Sequence, residues 1–196
     1  MAPHDVERRA QLFGAALPIF ERFGYRKSTV EEICREAGMS KRTFYEEFRD
    51  KADFFGHLVL HQALGLLDRW REETAQEPTA AARLEALVDM YIHACIHTPV
   101  LQCMFENDES REAVDRAFTV ENVKPLAAAM VPVMEQGMAT GELRPHDPEI
   151  TARIIGLLLD SVFIILPQMF RECRIETDEA FVREMKAFIV HGLLAR

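Results

Sequence analysis

At 196 residues, 48% of them apolar and 28% charged, the chain is long enough for a buried core and too apolar to be disordered. A net charge of −9 excludes a uniformly basic nucleic-acid binder, yet residues 1–50 carry nine Lys and Arg against nine Asp and Glu, so the whole excess lies in 51–196. Cys34, Cys95, Cys103 and Cys173 form no CxxC pair, which gives no zinc or disulfide framework.

The first residues, Met-Ala-Pro-His-Asp, have no basic segment leading into an apolar run, so no signal peptide is expected and a cytoplasmic location is. Leu12, Ala16, Ile19, Phe20 and Phe23 then recur at helical spacing, and Gly24 is the expected stop. A second helix carries Val30, Ile33, Cys34 and Ala37 and ends at Gly38; its capping box is either Thr29 with Glu32 or Ser28 with Glu31. Ser40 caps a third helix, and Met39 and Phe44 have the spacing of a hydrophobic staple. Two short amphipathic helices joined across Ala37-Gly38-Met39-Ser40 have the pattern of a helix-turn-helix. Arg49 or Asp50 opens a long fourth helix through Phe55, Val59, Ala63, Leu66 and Trp70.

Beyond it, helices are expected near 80–97, 100–106, 110–118, 122–139, 148–170 and 177–194, with Gln76 to Thr79 as a linker and Asp147-Pro148 as a cap followed by proline. No period-2 alternation indicates strands. The most apolar stretch, Ile154 to Leu166, is broken by Asp160 and is shorter than the ~20 residues of a membrane span, so no membrane partner is expected. The expected fold is all-α with about nine helices: a three-helix helix-turn-helix head at 1–50 and a larger helical ligand-binding and dimerisation body at 51–196.

On the third helix, successive side chains turn by about 100°, so with Phe44 inward Phe48 lies about 40° away, Tyr45 about 100°, Arg49 about 140° and Arg42 about 160°. Arg42, Tyr45 and Arg49 therefore point outward together, with Lys41 and Thr43 at the helix start. An exposed helix N-terminus favours phosphate, and Arg or Lys can bond guanine O6 and N7 in the major groove.

The run from Phe23-Gly24-Tyr25 through Ser28-Thr29-Val30-Glu31-Glu32-Ile33, Ala37-Gly38-Met39-Ser40 and Thr43-Phe44-Tyr45-Glu46-Glu47-Phe48 resembles the DNA-binding domain of TetR-family regulators over roughly residues 9–56. Lys51 and Phe54-Phe55 match the start of that family's fourth helix. The resemblance implies a recognition helix bearing Lys41, Arg42, Thr43 and Tyr45, with Thr29 and Lys51 on backbone phosphates. The expected DNA-contacting set is Ser28, Thr29, Ser40, Lys41, Arg42, Thr43, Tyr45 and Lys51, and double-stranded operator DNA is the expected partner. The sequence departs from the family's pattern at Arg42, Glu46 and Glu47: phosphate repels carboxylates, although a Glu can accept from cytosine N4.

In the body, the resemblance implies a cavity for a small-molecule effector beside the fourth helix. The residues expected to border it are Leu67, Trp70, Met90, Tyr91, Cys95, Met104, Phe105, Met130 and Met134. Their apolar, Met-rich character and the lack of a basic cluster point to an apolar or aromatic effector. Trp70, the sole tryptophan, would report on its binding. The resemblance also implies a homodimer through the last two long helices, with Leu158, Phe163, Phe181, Met185 and Phe188 at the interface. His57/His61 and His93/His97 have i, i+4 spacing but lack a third ligand at short range, and His57 and His61 fall on a face expected to meet solvent; no metal or other cofactor is expected. No nucleophile elbow, phosphate-cradling glycine loop or HExxH indicates an enzyme. A helical bundle that has lost DNA binding is the other alternative, motivated by Glu46 and Glu47. The reading favoured by the head is a ligand-responsive repressor.

Overall fold

The computed structural model describes residues 3–104, 107–164 and 179–195 and contains ten helices among them. They are α1 (Pro3–Lys27), α2 (Val30–Glu36), α3 (Lys41–Glu47), α4 (Lys51–Glu73), α5 (Ala80–His97), α6 (Pro99–Cys103), α7 (Asp108–Ala117), α8 (Val120–Ala139), α9 (Pro148–Ile164) and α10 (Glu179–His191). No strand occurs among the described residues, only an isolated bridge between Leu143 and Leu194. Gly24 breaks the helix as expected, with φ 69° and ψ 176°, but one further turn, Tyr25 to Lys27, follows before α1 ends.

Packing divides the chain into two compact units, Met1–Gln62 with His97–Asn122, and Ala63–Ile96 with Val123–Arg196. Packing therefore groups α6 and α7 with α1 to α3, and α4 supplies residues 51–62 to the first unit and 63–73 to the second.

The first unit is held by aromatic rings. Phe20, Tyr25, Phe44, Phe48, Phe54 and Phe55 are all buried, with centroids 4.7 Å apart for Tyr25 and Phe55, 5.0 Å for Phe48 and Phe54, and 5.2 Å for Phe44 and Phe54. Each buried ring contributes about 1.5–3 kcal/mol by leaving water, so this cluster fixes α3 against α1 and α4. Gly56 lets α4 approach α7 closely, since a Cβ there would lie 2.5 Å from the Ala113 carbonyl oxygen and 2.6 Å from Ala117 Cβ.

In the second unit, Trp70, Leu84, Val88, Met134, Ile155 and Val190 belong to one core drawn from α4, α5, α8, α9 and α10. Glu142 caps α5 from 62 residues away, its carboxylate accepting from the Ala80 and Ala81 amides at 2.8 Å each. These orphan N–H groups attract a carboxylate because the helix dipole adds to the hydrogen bonds.

Candidate nucleic-acid interface

The structure decides the capping alternatives. Thr29 closes the box: its Oγ1 accepts from the Glu32 amide at 3.2 Å, and the Glu32 carboxylate accepts from the Thr29 amide at 3.0 Å. Ser28 is instead 1% exposed and donates to the Gly24 carbonyl at 2.6 Å. Its side chain is therefore sealed inside the unit, which removes that side chain from the expected DNA-contacting set. At the other end of α2, Gly38 (φ 65°) makes the left-handed turn, with the Met39 amide on the Cys34 carbonyl at 2.8 Å and the Gly38 amide on Arg35 at 3.2 Å. This pairing satisfies the last carbonyls and reverses the chain in few residues, which glycine permits at least strain. Ser40 then caps α3 by accepting from the Thr43 amide at 3.1 Å.

On α3, Phe44 is fully buried and Phe48 nearly so, while the side chains of Lys41 and Arg42 are 55% and 89% exposed and Tyr45 is exposed. Thr43 is half-buried, its hydroxyl 2.9 Å from that of Ser40. Arg49 does not share this face. α3 ends at Glu47, Phe48 is extended (ψ 141°), and Arg49 turns to α4, where its amide and guanidinium reach the Asp53 carboxylate at 2.9 and 3.0 Å. Asp50 supplies the α4 cap, accepting from the Asp53 amide at 2.7 Å.

Glu47 is not a surface group. Its side chain is 6% exposed and is gripped by Arg8 at 2.7 Å and Arg9 at 3.0 Å from α1, while Arg9 also donates to the Glu47 carbonyl at 3.1 Å. The carboxylate thus ties the end of the recognition helix to α1. Glu46, one residue earlier, is exposed and accepts from Arg42 Nε at 3.0 Å; Lys41 Nζ reaches Glu31 on α2 at 2.6 Å. That last contact holds the Glu31 carboxyl below its ordinary range and raises Lys41.

Lys51 is also engaged within the chain. Its Nζ donates to the Tyr25 carbonyl at 3.0 Å and the Ser28 carbonyl at 3.4 Å and lies 4.2 Å from the Tyr25 ring centroid. Burial lowers its pKa. The ammonium closes the end of α1, and a phosphate approaching α4 must compete with those carbonyls for it. His57 is half-buried rather than a plain solvent group, its Nδ1 2.8 Å from the Asp53 carbonyl and its ring 5.8 Å from Phe48, whereas His61 is exposed as expected and stacks on Phe13 at 5.0 Å.

In the second unit, Leu67, Trp70, Met130 and Met134 are buried in the core, and Met90 and Tyr91 pack against it. Trp70 is 0% exposed and its Nε1 donates to the Arg83 carbonyl at 2.6 Å, so the indole is held by the protein's own groups. Met104 belongs to the first unit and Phe105 lies outside the described residues. One polar group had no signal beyond its interruption of an apolar run. Asp160 on α9 accepts from the Tyr91 hydroxyl on α5 at 2.6 Å, and burial raises both groups above their ordinary ranges. Cys95, one turn beyond Tyr91, is pushed up to about 12, chiefly by burial.

Of the expected dimer residues, Phe188 is 73% exposed, Leu158, Phe181 and Met185 are half-buried, and the Phe163 side chain lies outside the described set. Ile150, Ile154 and Leu157, outside the expected dimer set, form an exposed apolar stripe at i, i+4 and i+7 on α9.

A short helix locked by a glycine turn to a second helix, which presents exposed Lys41, Arg42 and Tyr45 behind its exposed cap Ser40, has the geometry of a helix-turn-helix DNA-binding head. Residues 12–58 match the sequence profile of bacterial regulatory proteins of the tetR family. Over those residues the chain carries a tetR-family helix-turn-helix domain, that of a transcriptional regulator. It is 23% identical over 189 residues to the HTH-type transcriptional repressor KstR2 of Rhodococcus jostii, which spans 95% of this chain and 91% of that protein. Its fold matches a TetR-family regulator from Pectobacterium atrosepticum with a TM-score of 0.75 at 16% identity, covering 100% of this chain and 98% of the other. It also matches the regulator FadR from Bacillus subtilis in complex with stearoyl-CoA, with a TM-score of 0.63 at 18% identity over 93% and 98% of the two chains. No helix among the described residues is long and apolar enough to cross a membrane.

Proposed function

We propose that this regulator is a cytoplasmic homodimeric repressor that leaves its operator when a small apolar or aromatic effector binds the second unit. The observation that carries the DNA half is the exposed first turn of α3, where Arg42 stands 89% exposed opposite the fully buried Phe44. Arg42, Lys41 and Tyr45 are the base-reading candidates; Ser40, Thr29 and the α4 start at Lys51 supply amides and side chains for phosphate. The effector half is supported by the Met-rich apolar core of the second unit and by the stearoyl-CoA held by FadR. The repressor sense follows the description of KstR2 as a repressor. Dimerisation is supported by the apolar residues left exposed on α9 and α10.

A randomised duplex library enriched by the full-length protein tests the DNA half. Arg42→Ala is expected to weaken binding to the enriched duplex by about 1–3 kcal/mol and to relax the preference at one base pair. Identical profiles for both proteins on a panel of single-base variants remove Arg42 from base readout. For the effector half, a long-chain acyl-CoA and simple aromatic compounds are titrated with and without duplex. An effector that releases DNA must bind less tightly in the duplex's presence, by the same factor by which it weakens DNA binding. Equal affinity in both conditions rejects the coupling.

A further inference from the structure

Both basic side chains at the start of the recognition helix are held by carboxylates. Lys41 Nζ lies 2.6 Å from Glu31 Oε2 and Arg42 Nε lies 3.0 Å from Glu46 Oε1, with Arg8 a further 4.0 Å from Glu46 Oε2. Helix stability does not account for these pairs. The groups are exposed, where an ion pair shifts an equilibrium by about a factor of two. Arg42 with Glu46 is moreover the weaker i, i+4 orientation, with its cation at the N-terminal end and its anion toward the C-terminal end. Lys41 with Glu31 joins two helices ten residues apart at a surface both helices present to solvent.

Resting on the operator-binding reading above, we infer that Glu46 and Glu31 are specificity-determining residues that act as internal competitors of DNA phosphate. Binding to unmatched DNA is built almost wholly from phosphate contacts, each releasing counterions when a free cation arrives. A cation already neutralised by its own carboxylate releases fewer, and the carboxylate repels the phosphate besides. The bond from Arg42 to Glu46 uses Nε and leaves the rest of the guanidinium fork open. A guanine edge that engages the fork twice is worth about five- to a hundred-fold, enough to draw Arg42 off a two-fold ion pair. A lone phosphate contact has no such margin. Glu46, released, stays beside Arg8 and can accept from a neighbouring cytosine N4. The carboxylates therefore weaken unmatched binding more than matched binding and widen the ratio between them.

The test measures full-length wild type, Glu46→Gln and Glu31→Gln on two duplexes of equal length, one enriched by the wild type from a random library and one unenriched, across a salt series. Glu36→Gln, an exposed α2 carboxylate, controls for the change in net charge. Melting curves confirm that the variants are folded. Glu46→Gln and Glu31→Gln are each expected to raise affinity for the unenriched duplex about three- to ten-fold and to steepen its log–log salt slope by up to about one. Affinity for the enriched duplex should rise less, so that the ratio falls. Unchanged affinities, equal gains on both duplexes, or the same gains in Glu36→Gln overturn the inference. A wild-type chain that enriches no duplex overturns the operator reading itself, and this inference with it.

Discussion

Asp160 shows how a single polar residue alters the balance of an apolar helix. Its carboxyl accepts one bond from Tyr91, and burial raises its pKa, with the Tyr91 bond pulling the other way. A carboxyl whose folded pKa exceeds its unfolded value, near 3.9, binds its proton more tightly in the folded state. The stabilisation from that proton is complete below about pH 4 and is lost as the pH rises through the folded value. Asp160→Asn keeps an acceptor for Tyr91 and removes the ionisation. It should therefore leave the protein at least as stable as wild type at pH 7, with a gain on the order of 1 kcal/mol that shrinks toward pH 4. Urea denaturation at pH 4, 5.5 and 7 checks it; a variant clearly less stable at pH 7 would show that the ionised carboxylate is the better partner.

At the scale of elements, the first unit depends on close approach as much as on rings. α4 and α7 meet at Gly56, where an added methyl collides with the Ala113 carbonyl oxygen and Ala117 Cβ. Glycine to alanine within a helix ordinarily stabilises by up to about 1 kcal/mol. Here the overlap is with backbone and cannot be relieved by turning a side chain, so Gly56→Ala should destabilise by about 1–3 kcal/mol. A raised melting temperature for Gly56→Ala would mean that α4 and α7 are not in contact at that point. The same logic explains the clamp on Glu47. Two arginines of α1 reach one carboxylate at the end of α3, so α1 helps to hold the direction of α3.

For the whole molecule, the expected assembly is a two-fold dimer through α9 and α10. Phe188 is 73% exposed, and Ile150, Ile154 and Leu157 add an apolar stripe; side chains of this kind are ordinarily covered when they form a contiguous patch. Phe188→Glu places a charge on that surface while leaving the α10 residues that face the core, Ile189 and Val190, unchanged. It should convert a dimer into monomers at micromolar concentration, read by light scattering, and weaken operator binding because two half-sites about one DNA turn apart are no longer engaged together. A wild type that is monomeric under the same conditions removes the dimer from the proposal.

Local chemistry was legible in the sequence because its partners lie within about one helical turn, five residues at most. Glycine at the α2 stop, Ser40 at the α3 cap, the inward Phe44 and the outward Arg42 all follow from spacing, and the order of the helices from apolar periodicity and caps. Several roles were not legible, because each depends on a partner far along the chain. Glu47 meets Arg9 across 38 residues, Lys51 meets the Tyr25 carbonyl across 26, and Asp160 meets Tyr91 across 69. In the sequence these are only a carboxylate near DNA, a cation near phosphate and a break in an apolar run. Helical period tells which way a side chain points but not what waits there. Tertiary packing decided that Glu47 is a clamp, that Lys51 closes α1, that Ser28 is buried, and that Trp70 is held by Arg83, because each depends on which helix lies opposite.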